Sequence, residues 1–437
     1  MSIRRSPTNS IVALATVALA SACSSNGTAD ASQDTAPDLA TPDRGATFPD
    51  TLPDLVAPDV DLGDTVWPDA AGPAFCSIGG AVAGVVVPTG YCLRQFVAPM
   101  DLREPRVMSF APNGDLFIAA PSTGAPGGAG GGPAAIVVVT DADRNGIGEL
   151  HTFAGSLPDV HGLVVASDAV YFTTTAGVFR TPYANGQLAE VATMRTMVAS
   201  FASAGTLRWT HGLSRSPSGR LYVTSGGFGS FCPQPDNGSV SEVTSGGTLS
   251  LLAHGFRNPM YTRCHYASEA CAVSELGDDG GGSWGAREKI LFVRASTDYG
   301  YPCCAANGVP ASGQTVASCA SVTMEEASMT INDTPFGLDW ERGIWVTPWR
   351  NAMFVAKHGS FYSQPAWQGA GIWVAPTDPV THAPTAPFQL FLGSFGPGGS
   401  QLERPADVTF APDGRLFFVD DNGGGVYWMA PTELRMP

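Results

Sequence analysis

The sequence predicts an all-β protein, a six-bladed β-propeller spanning about Pro73 to Pro437, preceded by a signal peptide and a disordered linker. Three observations carry this. One hairpin-like unit recurs along the chain, its turns are built on Pro and Gly, and the composition is rich in turn formers. The 437 residues include 52 Gly and 35 Pro, with only 14% charged residues, so a large core with many turns is expected and long helices are not.

The first segment, residues 1–22, reads as an export signal: Arg4 and Arg5, an apolar run from Ile11 to Leu19, then Ala20-Ser21-Ala22-Cys23. The run is too short to span a bilayer as a mature helix. Small residues directly before a cysteine resemble a bacterial lipobox, with Ala20 displacing the usual Leu. That resemblance implies cleavage before Cys23, lipidation of Cys23 and a membrane-anchored lipoprotein facing the periplasm or cell surface.

Residues 23–72 change to Ala, Thr, Asp and Pro, with Pro-Asp pairs such as Pro37-Asp38 and Pro68-Asp69 and no apolar period. Proline stiffens such a segment and like charges extend it, which predicts a disordered tether. From Ser24 to Gly72 the charges are ten Asp and the single Arg44. The tether therefore carries about nine units of the formal net charge of −16. An acidic chain of this kind argues against nucleic acid as a partner.

Beyond Cys23 the chain holds Cys76, Cys92, Cys232, Cys264, Cys271, Cys303, Cys304 and Cys319. An even number in an exported chain predicts disulfides. Local pairs Cys76–Cys92 and Cys264–Cys271 are expected, and the other four are left open. A tetrahedral metal site is disfavoured, because paired C-x-x-C ligands are lacking and Cys303 and Cys304 are adjacent.

From Arg103 onward the repeated unit is a short apolar strand, a turn, and an alternating aromatic-rich strand. It appears as "RVMSFAPNGDLFIAA" at Arg106, "GLVVASDAVYFTTTAGVFRTP" at Gly162 and "GLSRSPSGRLYVTSGG" at Gly212. Degraded copies start at Arg257 and Phe336, and "RPADVTFAPDGRLFFVDDNGGGVYWMAP" closes the series at Arg404. In Pro112-Asn113-Gly114, Pro217-Ser218-Gly219 and Pro412-Asp413-Gly414, proline sets a turn φ and glycine accepts φ > 0. Units roughly 45 to 80 residues apart, none able to bury both faces alone, point to a propeller. A β-sandwich would not require near-identical hairpins at both ends of the domain. The stretch from Ala305 to Pro335 is Ser/Ala-rich, lacks clear alternation and leaves the blade boundaries there open.

Four segments in order resemble the glucose/sorbosone dehydrogenase family: "TLRWTHGLSRSPSGRLYVTSGGFGSFC", "LLAHGFRNPMY", "ELGDDGGGSWGAREKI" followed by "DYGYPCC", and "AMFVAKHGSFYSQP". The likeness continues into "RPADVTFAPDGRLFFVDD" and covers nearly all of the expected propeller. It implies a six-bladed propeller that uses pyrroloquinoline quinone (PQQ) with calcium to oxidise a small carbohydrate substrate, with an electron-acceptor protein as a possible partner. Such chemistry needs a base for a hydroxyl proton and cations for the cofactor's carboxylates and carbonyl oxygens.

The resemblance implies Arg257 and Asn258 as PQQ contacts, through Arg257-Asn258-Pro259, and Lys357 and His358 as further contacts. The chain departs from the family at the catalytic position: counting back from Pro217 places Arg208 where relatives carry histidine, with His211 three residues on. Arginine stays protonated and is a poor base, so His211 becomes the candidate catalyst beside Arg208. Phe361-Tyr362-Ser363 also replace a Trp-Asn-Arg run. His161 and His254 are secondary candidates for the funnel.

For calcium, Asp141, Asp143 and Asn145 alternate before Gly146 like the start of a calcium loop, although Glu149 comes too early for the bidentate position. The same residues also suit an ordinary blade connection. Asp278 and Asp279 match a Gly-Asp-Asp stretch of the family, with a triple-glycine insertion after them. A non-catalytic envelope propeller binding carbohydrate or a protein partner is the alternative function, favoured by the Arg208 substitution.

Overall fold

The computed structural model describes residues 72–99, 101–102, 104–121, 134–201, 211–227, 232, 238–277, 287–305, 308–311, 318–331, 333–360, 369–396 and 402–436. The signal segment with Cys23, and the tether up to residue 71, lie outside the described residues.

Six antiparallel blades follow one another along the chain. Blade 1 is Val107–Phe110, Leu116–Ala120, Ala134–Thr140 and Glu149–Leu157, and blade 2 is Leu163–Val165, Ala169–Thr174, Gly177–Pro182 and Thr196–Ser200. Blade 3 is Leu213–Arg215, Leu221–Ser225, Gly238–Val243 and Leu249–Phe256, with Thr297–Asp298 added in parallel at its outer edge. Blade 4 is Asn258–Cys264, Cys271–Leu276, Glu288–Phe292 and Ala327–Met329, and blade 5 is Pro335–Trp340, Met353–Lys357, Gly371–Ala375 and Gln389–Leu392. Blade 6 takes Pro405–Phe410, Leu416–Asp420 and Gly425–Pro431 from the C-terminal end, and is completed by Tyr91–Val97 and Gly80–Ala81 from the other end of the domain.

The first strand of every blade lies against the first strand of the next, and the ring closes from blade 6 to blade 1. These strands are therefore the inner wall. The expected turns are three copies of one geometry. Gly114, Gly219 and Gly414 have φ of 94°, 91° and 88°, and their N–H groups reach Ala111 O, Ser216 O and Ala411 O at 2.9, 2.9 and 3.0 Å. These turns define one face of the ring. The entry ends of the inner strands define the other.

Small residues at the entry let the blades approach. A Cβ on Gly162 would lie 2.5 Å from His211 O, and one on Gly212 would lie 2.7 Å from Met260 O. Between blades the packing is aromatic: Trp345, Phe354, Phe391 and Phe410 meet edge-on or tilted where blade 5 faces blade 6.

Two side chains of blade 4 cross the axis. Tyr261 donates its hydroxyl to Arg106 O at 2.7 Å and stacks on Phe336 of blade 5. Two residues on, Arg263 reaches Leu338 O of blade 5, Met108 O of blade 1, and Asp407 and Val408 O of blade 6.

Disulfides Cys76–Cys92 and Cys264–Cys271 join the expected partners, and Cys232–Cys303 and Cys304–Cys319 use the other four. The segment with no legible period is an excursion between the third and fourth strands of blade 4. It lends Thr297–Asp298 to blade 3, forms the small hairpin Cys304–Ala305 with Val309–Pro310, and returns through Ala327–Met329.

Candidate functional site

Arg106, His161 and His211 occupy one position in three consecutive blades. Each lies five residues before the residue whose N–H closes the first hairpin, namely Ala111, Ala166 and Ser216. All three are buried at the entry face, with 3%, 2% and 5% exposure.

The surroundings of His211 fix its tautomer. Nδ1 lies 2.9 Å from Thr224 O, and a carbonyl oxygen only accepts, so Nδ1 carries the proton and Nε2 keeps its lone pair. Nε2 is buried and has no hydrogen-bond partner. Phe201 stacks on the ring with centroids 3.9 Å apart. Burial pushes the ring's pKa down to about 4 against the pull of Thr224 O, so at neutral pH the ring is neutral and the buried Nε2 lone pair carries no proton and meets no partner.

His161, one blade earlier, meets Tyr261 edge-on at 5.2 Å. Burial, with the charges of Arg106 and His211, pushes it down to about 3.

Across the axis, Arg106 Nη2 pairs with Asp421 Oδ2 at 2.9 Å, and His358 Nε2 lies 2.7 Å from the same oxygen. Arg404 Nη2 reaches His358 Nδ1 and Gly359 O, both at 2.7 Å. Since arginine can only donate, His358 accepts at Nδ1 and donates from Nε2 to Asp421, as a neutral ring. Burial pushes His358 down to about 3 in spite of Asp421. Burial would raise the Asp421 carboxyl, but Arg106, His358 and Arg404 together hold it well below the usual carboxylate range. Two atoms of this network are buried without partners, Arg106 Nη1 and Asp421 Oδ1.

Arg257 and Asn258 enter blade 4 on the same face. The Arg257 guanidinium donates to Gly277 O, its N–H donates to Glu275 Oε1 at 2.6 Å, and Asn258 Oδ1 is buried without a partner.

The structure brings His211, Arg257, Asn258 and His358 to the entry face and corrects other expectations. His254 is on the fourth strand of blade 3, half exposed and paired with Asp298 of the short strand added outside it, because the segment before Arg257 is the end of that outer strand rather than a funnel segment. Lys357 gives its charge to Asp333 at 2.8 Å and sits 3.6 Å over the Trp373 ring. His358 has both ring nitrogens engaged inside the protein, so it positions Asp421 and Arg404 and presents no free nitrogen.

Asp141, Asp143 and Asn145 form the turn between the third and fourth strands of blade 1. Asp141 accepts the Gly146 N–H and Asp143 accepts from Asn145, so the turn is closed on its own backbone. Arg208, Asp278 and Asp279 lie outside the described residues. Among the described residues, no group of three or more His, Cys, Asp or Glu could hold a metal ion.

Arg106, Arg404, Asp421 and Tyr261 were not singled out from the sequence. Arg106 and Arg404 did have a signal, since each is the first residue of a repeat. Asp421 had none, because its partners are 63 and 315 positions away.

No protein-family model matches the chain, and no curated protein matches it. Solved structures do. A carbohydrate-active enzyme of family AA12 from Trichoderma reesei is similar over 81% of this chain and 99% of its own, with 17% identity and a TM-score of 0.64. The PQQ domain of a pyranose dehydrogenase from Coprinopsis cinerea, in its holo form, covers 80% and 99%, with 14% identity and a TM-score of 0.64. A PQQ-bound aldose sugar dehydrogenase from Streptomyces coelicolor covers 79% and 99%, with 17% identity and a TM-score of 0.53. At such identities the likeness establishes the propeller fold.

Proposed function

We propose that this chain is a PQQ-dependent dehydrogenase that oxidises a sugar or a related alcohol or aldehyde at the entry face of the propeller. The observation that carries the reading is the unpartnered, proton-accepting Nε2 of His211 in a buried ring position shared with Arg106. Support comes from the fold, which is that of solved PQQ-containing sugar dehydrogenases, and from the order of motifs.

The residues fit an anionic quinone. Arg106 Nη1 is a buried donor lacking an acceptor, which a carboxylate or carbonyl oxygen would supply. Arg257 and Asn258 offer a second set of polar groups on the same face. Bound PQQ would supply an ortho-quinone that takes two electrons as hydride from the carbon being oxidised. His211 Nε2 receives the hydroxyl proton, held in that tautomer by Thr224 O and in that orientation by Phe201. Tyr261 and Phe336 wall the axis and exclude water. Calcium is implied by the family resemblance alone: the described residues hold no group of three or more His, Cys, Asp or Glu for it, and no step is assigned to it. Electrons then pass to a separate acceptor protein.

The test is reconstitution with PQQ followed by aldose-dependent dye reduction. His211→Ala is expected to keep PQQ binding and to lose turnover by about 100-fold or more. Failure of the wild-type protein to bind PQQ at micromolar cofactor would remove the reading. Sugar binding by the PQQ-loaded protein without dye reduction would favour the carbohydrate-binding propeller instead.

The proposal extends to location: an exported protein anchored through lipid on Cys23. Cys23→Ala should move it from the membrane to the soluble fraction on cell fractionation, and unchanged fractionation would sink the anchor.

A further inference from the structure

The entry of blade 4 has an unusual construction. Its first strand begins Asn258-Pro259, and Pro259 stands opposite Glu275 on the second strand, with the register slipping between Pro259 and Tyr261. Proline has no N–H for the ladder, so the backbone alone cannot pin this end of the strand. The Glu275 side chain takes its place: Oε1 accepts the Arg257 N–H at 2.6 Å, and the Asn258 N–H also bonds this carboxyl. Glu275 is only 1% exposed. Its second oxygen, Oε2, is buried without a partner, as is Asn258 Oδ1.

We propose that Glu275 is a positioning residue: it straps the Arg257–Asn258 entry to the second strand of blade 4, and thereby presents these two side chains to the cofactor. The inference rests on the PQQ reading for what the pair presents itself to, and on this geometry alone for the strap.

The charged groups facing Glu275 are few. Lys289 is its cross-strand partner on the third strand and Arg257 lies above it. The neighbouring Glu288 directs its carboxylate to the Gly277 N–H at 2.8 Å and faces Lys357 of blade 5. Burial pushes Glu275 up to about 7 against Lys289 and the Arg257 N–H. The carboxyl therefore titrates near neutrality, and as it ionises its bonds to the two N–H groups become charge-assisted.

The experiment compares wild type, Glu275→Ala and Glu275→Gln by two readouts. The first is amide hydrogen exchange in the peptide holding Arg257 and Asn258, expressed as protection factors between pH 6 and 8. Protection should fall about tenfold or more in Glu275→Ala and survive in Glu275→Gln, which keeps an acceptor oxygen. Wild-type protection should rise through neutrality, and that of Glu275→Gln should not. The second is PQQ affinity and kcat: Glu275→Ala should weaken PQQ binding about tenfold while kcat at saturating PQQ stays within about twofold. Equal protection in all three proteins overturns the strap, and equal PQQ affinity with lost protection overturns its link to the cofactor. If wild type binds no PQQ, the dehydrogenase reading falls, and the exchange data still decide the strap.

Discussion

Two histidines at the entry face, His211 before the first strand of blade 3 and His358 after the second strand of blade 5, do different work because of their hydrogen-bond partners. Thr224 O commits His211 to the Nδ1–H tautomer and leaves Nε2 as an acceptor, whereas on His358 both nitrogens are consumed by Asp421 and Arg404. His211 was legible as a candidate from its place three residues after Arg208 and just before the Pro217-Ser218-Gly219 turn; its tautomer was not, since Thr224 lies on the neighbouring strand and a carbonyl has no signature in sequence. The depressed pKa of His211 has a thermodynamic sign. The folded state prefers the neutral ring, so this stability is present above the unfolded value near 6.5 and is lost as pH falls through about 4. Asp407 and Asp420, pushed up by burial to about 6, act oppositely and lose their share as pH rises through that value. A variant isolates the histidine: between pH 7 and 4, His211→Gln should gain about 3 kcal/mol relative to wild type in denaturant unfolding. A gap that does not change with pH would show that His211 is already solvated in the native protein.

At the level of strands and turns, legibility followed locality. The Pro-x-Gly turns at Gly114, Gly219 and Gly414 form as expected, because proline and glycine encode their own dihedrals within four residues. Cys76–Cys92 and Cys264–Cys271 span short loops, and Cys264 and Cys271 face each other directly in an antiparallel pair. Completion of blade 6 by Tyr91–Val97 was not legible, since that strand pairs with Gly425–Pro431 more than 300 residues away and carries no turn linking them. The excursion holding Cys303 and Cys304 had no period to read, because its strands are two or three residues long and its shape is set by disulfides. The site divides the same way. Arg257 and Asn258 are neighbours in a motif, whereas the Arg106–Asp421–His358–Arg404 network draws on blades 1, 5 and 6 and exists only once the ring is closed.

For the molecule as a whole, one arginine matters out of proportion to its size. Arg263 ties blade 4 to blades 1, 5 and 6, and its partner Asp407 is fully buried and also accepts the Met108 N–H at 2.8 Å. Removing the cation leaves a buried carboxylate without its counter-ion. Arg263→Met should cost about 3 to 5 kcal/mol in denaturant unfolding, and adding Asp407→Asn should restore part of that loss. A cost below about 1 kcal/mol would mean that Asp407 is neutral beside it.

The same side chain forms part of the wall of a hollow of about 260 Å³ on the turn face, together with Ser109, Leu213 and His265. Above it Tyr261 spans the axis to Arg106. Among the described residues the ring is thus corked from within by Tyr261 and Arg263, which both reach from blade 4 to blade 1, rather than left open along its axis.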